Sequence, residues 1–274
     1  MKLKRAWIIA RLDLARLVRS KDYLVPLIIL AGIFFVIIPW VMLGVVSKAG
    51  GSALIQQIGG VLESLPQIAQ NNVRGNTPQA RAAYAFSVYL LAPVAIVVPL
   101  TISSAIGAYG LIGDREKGTG EYLAHSPLHT SEIFYGKLIA AFIPGYLATV
   151  VGFGLYALIV NTRVGHLLGG WFFPTPEWWI LIFWVVPPFI IFSLGVILWA
   201  SGRVQSAPAA QQASTLVTLP VIILAYGVTS GLALDPVRGA IGIGAAAWVV
   251  ALVVLRVTSR GLKRERLLGT SSQN

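Results

Sequence analysis

Six apolar stretches, at about 23–46, 84–112, 133–160, 178–200, 208–230 and 235–255, hold no Asp, Glu, Lys, Arg or His in their middles. Each supplies the roughly 20 residues that a helix needs to cross ~30 Å of hydrocarbon. Transmembrane strands are ~10 residues long and alternate in polarity, so runs of this length and uniformity exclude a β-barrel. The expected fold is all-α: a polytopic membrane protein with six transmembrane helices. Composition agrees, with 56% apolar and only 11% charged residues and a mean hydropathy of +0.77. Soluble domains carry about a quarter charged residues. The first stretch is far longer than the ~7–15 residues of a signal-peptide core. It follows 22 residues of charged helix-former, which reads as a signal anchor.

The net charge of +11 would suggest nucleic acid in a soluble domain. Here its distribution argues for membrane orientation and against a nucleic-acid partner. With both termini in the cytoplasm, the inner segments 1–22, 113–137, 201–206 and 256–274 hold 16 of the 21 Lys and Arg residues. The outer segments 47–83, 161–177 and 231–238 hold the other five. The positive-inside rule then predicts a multi-pass protein of the cell membrane with both termini cytoplasmic and a basic tail at 256–274. Trp171, Phe172, Phe173, Trp178 and Trp179 mark the outer interface before the fourth span, since amphipathic rings prefer headgroup depth.

Residues 4–21 form an amphipathic pattern. On a helical wheel Trp7, Ala10, Leu14, Leu17 and Val18 share one arc, while Arg5, Asp13, Arg16 and Arg19 gather opposite. The pattern predicts an interfacial helix over 1–22, with its apolar arc in lipid and its basic face toward headgroups. An ordinary basic flank that fixes orientation is the alternative. The outer loop 47–83 is expected to hold one or two short helices around SALIQQIGGVLESLPQIAQ, followed by a turn-rich NNVRGNTPQA.

The segment 113–137 carries seven charged residues between two spans. Asp114-Arg115-Glu116-Lys117 alternates in sign where the second span ends. Thr119 is placed to cap a short helix with Glu121 in its first turn, and Ser126-Pro127 ends it. Thr130 is the expected cap of the next helix, with Glu132 in its first turn. An ordinary charged loop would account for the bases but not for four interleaved acids and a capped helix.

Several chemistries are absent. No G-x-x-x-x-G-K-[ST] occurs, so this chain has no P-loop of its own. H-E-x-x-H and G-x-S-x-G are missing as well. His125 and His129 have metal-ligand spacing on a helix, but Pro127 breaks that helix, so no metal site is expected. There is no cysteine. No Asp, Glu or His sits in the middle of a span to relay protons, so energy for uphill transport must come from another chain.

In order and spacing, Asp114-Arg115-Glu116-Lys117-Gly118-Thr119, Glu121, Ser126-Pro127-Leu128, Glu132-Ile133 and Gly136-Lys137-Leu138 resemble the loop after the second span of type-2 ATP-binding-cassette (ABC) permeases. Gly120 departs from that pattern, which usually has Leu there. Gln211-Gln212 with Pro220, and the basic amphipathic N-terminus, add to the likeness. The resemblance implies that residues 1–274 form a single transmembrane permease domain, with an N-terminal elbow helix and a short cytoplasmic coupling helix. It implies a second permease copy, as homo- or heterodimer, and a separate P-loop ATPase subunit that binds ATP and Mg. The ATPase would grip the segment holding Asp114, Arg115, Glu116, Lys117, Gly118, Thr119, Glu121 and Tyr122. The permease chain would hold no cofactor and no catalytic residue, and export is the implied direction. A membrane-embedded enzyme of transferase type and an assembly scaffold without transport are the alternatives, though no catalytic constellation is visible.

Gln211, Ser214, Thr215 and Thr218 recur at helical spacing in the expected fifth span and share one face. That face is either part of a translocation path or interhelical glue. In the path reading it meets its symmetry mate, or Thr101, Ser103 and Ser104 of the second span, across a dimer axis.

Overall fold

A computed structural model describes residues 3–48, 53–63, 70–116, 126–201 and 236–261. All the regular structure among them is helical. Five helices are long and apolar enough to cross a membrane: Leu24–Lys48, Pro78–Ala108, Thr130–Leu167, Pro176–Trp199 and Val237–Arg260. They match five of the six expected spans. The expected span at 208–230 lies outside the described residues.

Helix α1 (Leu3–Arg19) stops at Ser20, whose backbone is extended, and α2 (Lys21–Gly32) opens the first span. A π-helical turn at Ile33–Ile37 joins α2 to α3 (Ile38–Lys48). Phe35, Pro39, Leu43 and Val46 are buried at a three-to-four-residue period, so one stripe of this rod faces the protein. Exposed Ile28, Ile29, Trp40, Val41 and Val45 cover the rest, as suits a lipid-facing helix.

The expected loop 47–83 contains helix α4 (Ala53–Glu63), and its last residues already belong to the second span. Helix α5 (Pro78–Ala85) starts six residues before the expected boundary. Thr77 Oγ1 accepts from the Ala80 N–H at 3.1 Å, and Pro78 occupies the first turn, where its missing N–H costs nothing. Gln79 reaches back to α3, donating to the Ser47 carbonyl at 2.8 Å and so covering an orphan helix end.

The second span is broken where the sequence suggested one continuous helix. A π-helical turn at Phe86–Leu90 runs into turns at residues 91–93, and α6 (Val94–Glu116) resumes beyond Pro93. Leu91 N–H bonds to Phe86 and Ala92 N–H to Tyr89, so the carbonyls of Ser87 and Val88 lose their usual helical donors. Two side chains replace them. Tyr156 Oη donates to Ser87 O at 2.5 Å, and Trp178 Nε1 donates to Val88 O at 2.9 Å. An unpaired carbonyl has no water to turn to at this depth, so these two rings make the break tolerable.

Helix α7 (Thr130–Val164) has 35 residues. At 1.5 Å per residue it is about 52 Å long, more than the ~30 Å hydrocarbon layer, and it packs against α1, α3, α6 and the fourth span. Its N-cap is His129, one residue before the expected Thr130. The Glu132 carboxylate accepts the His129 N–H at 3.1 Å, and this reach back over three residues fixes where the helix begins. The fourth span comprises α8 (Pro176–Ile180), a π-helical turn at Leu181–Val185 and α9 (Val186–Ser201). Helix α10 (Pro236–Gly261) runs past the expected residue 255 and packs on α9, with Trp184 Nε1 donating to Ile241 O at 3.2 Å.

Tyr156→Phe and Trp178→Phe each leave one carbonyl of the broken span unpaired. Each is expected to destabilise the fold by about 1 kcal/mol. Thermal unfolding of the detergent-solubilised protein measures this, and Tyr135→Phe, distant from the break, is expected to leave Tm unchanged.

Candidate functional site

The site is the end of the bundle where α1 lies along the first two turns of α7. Ala6, Ile9 and Ala10 of α1 are buried there and Leu17 packs against the core. Their 6, 9, 10, 17 spacing makes one helix face. The two helices touch at Gly136. A Cβ at that position would stand 2.7 Å from Ile9 Cβ and 2.9 Å from the Ala6 carbonyl oxygen, so the approach needs glycine.

Ion pairs flank this contact. On one side Lys137 Nζ donates to Asp13 Oδ2 at 3.2 Å, with side-chain exposures of 3% and 16%. Arg16 adds a second cation 3.8 Å from Asp13. On the other side Arg5 lies 3.9 Å from Glu132, whose side chain is 1% exposed. Arg5 Nη1 also donates to the Pro127 carbonyl at 3.4 Å. Glu132 thus caps its own helix and holds α1 with one carboxylate. Buried charges of this kind add little net stability over apolar packing, but they fix register, because a lone charge left in the seam is costly.

This corrects the expected orientation of α1. Asp13 was placed on the headgroup face, yet it turns into the protein, and Leu17, assigned to the lipid arc, packs against the core. The lone acid on a basic helix follows its partner Lys137 rather than the average polarity of its face. Trp7 and Val18 of the same arc do stay exposed, at 51% and 67%, so α1 presents a second apolar strip away from the bundle.

Of the residues singled out in the sequence, Asp114, Arg115 and Glu116 form the last turn of α6. The second span therefore carries its helix on through Glu116. Lys117, Gly118, Thr119, Glu121 and Tyr122 lie outside the described residues, as does the expected short helix at 119–125. Gln211, Ser214, Thr215 and Thr218 lie outside them as well. Ser103 and Ser104, one of two partners that the path reading offers for that face, are both buried within this chain. Ser104 Oγ is 3.1 Å from Ser193 Oγ of α9, and Ser103 lies against Gly145. Thr101 remains exposed and bonds back to Val97 O at 2.9 Å. Of these hydroxyls, only that of Ser104 bonds across to another helix, as interhelical glue.

Sequence reasoning missed Arg5, Asp13, Glu132 and Lys137 as one cluster. The signal was present in Glu132, read only as a first-turn acid, and in Gly136-Lys137, which entered only as parts of a pattern.

Lys137→Ala strands Asp13 in the seam and is expected to cost about 3 kcal/mol, the scale of a broken buried pair. Asp13→Ala with Lys137→Ala is expected to cost less than the two single losses combined. A double-mutant cycle on unfolding of the solubilised chain measures this coupling, and strict additivity would contradict the pair.

Residues 42–264 match the family model described as ABC-2 family transporter protein, which covers 223 of the 274 residues. The comparison with curated proteins gave no match. The matched stretch starts in the last third of the first span and includes the whole base of α7. The chain is a multi-pass membrane protein that belongs to the ABC-2 transporter family.

Proposed function

We propose that this chain is the permease subunit of an ATP-driven exporter, with ATP and Mg bound and hydrolysed by a separate P-loop ATPase subunit. Family membership supports a transport role without catalysis in this chain, and a partnership with an ABC ATPase. Export follows the family resemblance. Two permease copies, identical or paralogous, enclose the path, and the hydroxyl and amide face of Gln211, Ser214, Thr215 and Thr218 is its candidate lining. The subunit lies in the cell membrane with both termini cytoplasmic, in keeping with the charge asymmetry of its loops.

One observation supports the coupling assignment: the described residues on both sides of segment 117–125 are tied into the bundle. On its entry side α6 continues as helix through Glu116. On its exit side the Pro127 carbonyl, Glu132 and Lys137 are all bonded to α1. A force delivered to these flanks would reach two spans and α1 together. The ATPase docks on Asp114, Arg115, Glu116, Lys117, Gly118, Thr119, Glu121 and Tyr122. The acids offer charge to basic groups of the ATPase, whereas Arg115 and Lys117 also serve as lipid anchors.

Charge reversal at Glu116 and Glu121 together is expected to lower the ATPase activity of the reconstituted complex several-fold while leaving membrane insertion intact. Each like-charge juxtaposition at such a rim weakens docking by about 1 kcal/mol or more. ATP turnover unchanged after both reversals would defeat the docking assignment. Co-purification of a stoichiometric P-loop ATPase with the wild-type chain tests the subunit reading itself.

A further inference from the structure

We infer that the wedge between the first span and α7 holds an acyl chain of a resident anionic phospholipid, drawn from the leaflet on the α1 side. The two helices meet closely only from Phe35 onward, where the buried stripe of the first span begins. Leu27, Leu30 and Ala31 of α2 are only partly buried against the core and no described residue of α2 is fully buried, so the first span packs more loosely along its α1-side half. The gap is a side-open cavity of about 350 Å³. Leu24, Ile28 and Gly32 form one wall, Leu147 and Val151 the other, and Ile102 of α6 lies at the back. Every lining residue is apolar, and the cavity lies within two helices that match the hydrocarbon layer in length and composition. Water needs two to four polar partners to stay in such a space and would find none.

Hydrocarbon is the occupant that fits, but apolar walls alone would not select one lipid, because lipid tails are as apolar as leucine. Selection comes from the mouth. Lys21, Leu24 and Ile28 stand at i, i+3 and i+7 on one face of α2, so Lys21 sits one turn below the first wall residue on the open side. Arg19, at the end of α1, is also exposed beside it. Two cations at the level where the hydrocarbon ends would meet a phosphate whose chain fills the groove. The walls are carved by small residues. A Cβ at Gly32 would meet nothing within 4 Å, so the space in front of it is open. This differs from Gly152 on the opposite helix, where a Cβ would strike the Phe35 ring.

Gly32→Leu starts from a Cβ with nothing within 4 Å and extends into the groove, and Ala148→Leu extends into it from the other wall. The full-length chain is incorporated into vesicles of equal phosphatidylglycerol and phosphatidylcholine, extracted in mild detergent, and its retained lipid measured by native mass spectrometry. The wild type is expected to retain phosphatidylglycerol in preference to phosphatidylcholine. Gly32→Leu and Ala148→Leu are expected to keep the wild-type Tm and lose retained lipid by tenfold or more. Arg19→Gln with Lys21→Gln is expected to erase most of the headgroup preference, about five-fold per charge. Retention by both groove-filling variants equal to the wild type would overturn the proposal. Equal retention of the two lipids by the wild type would overturn it as well.

Discussion

Close approach along a single helix organises this bundle. Helix α7 meets three neighbours at three glycines: α1 at Gly136, α6 at Gly145 and the first span at Gly152. A Cβ at Gly145 would run into Ser103, and one at Gly152 into the ring of Phe35. In lipid there is no hydrophobic gain in bringing apolar helices together, so tight packing at small residues must supply the attraction. Gly145 and Gly152 lie seven residues apart and share a face, whereas Gly136 faces nearly the opposite way. One helix can therefore hold the interior of the bundle on one side and the elbow helix on the other.

The same scarcity of solvent explains why polar groups sit where they do. Ser87 and Val88 lose their helical donors at the break before Pro93, and Tyr156 and Trp178 replace them. At the far end of α7 the Asn161 side chain performs a similar service. Its Oδ1 accepts from the Phe172 and Phe173 N–H groups at 3.0 and 3.1 Å, and its Nδ2 donates to Phe173 O at 2.6 Å. That clasp presses Phe173 against Tyr156 and Trp178, with ring centroids 5.3 and 4.9 Å apart. The aromatic residues read from the sequence as an interface belt thus have two fates. Trp171 stays exposed at 73%, while Phe173 and Trp178 are buried structural parts.

Uniform apolar length made five spans legible from the sequence, because hydrocarbon thickness imposes that length whatever the tertiary contacts. The boundaries at Pro78 and His129 were less legible, since each depends on one local bond, Thr77 to Ala80 or Glu132 to His129. The break at residues 91–93 was not legible, because its tolerance depends on side chains from two distant helices. The orientation of Asp13 escaped for a related reason. An amphipathic wheel averages polarity over a helix, and a single buried ion pair can outweigh that average when the partner lies 124 residues away. The motif residues Glu132, Gly136 and Lys137 were visible as a pattern, but their joint work as cap, contact and counter-ion appears only with α1 in place.

In this account α1 moves with the central helix as one body, bonded to the residues after the charged segment and to the base of α7. The most direct test is the distance between α1 and α7 during turnover. The chain has no native cysteine, so spin labels at Leu12→Cys and Val151→Cys, both exposed positions, report that distance once the inter-subunit distances are identified from singly labelled chains. Pulsed electron–electron resonance on the reconstituted complex is expected to give the same distance in nucleotide-free and ATP-trapped states, as for one rigid body. A distance that shifts between the two states would show that the elbow helix slides on α7, contradicting the account.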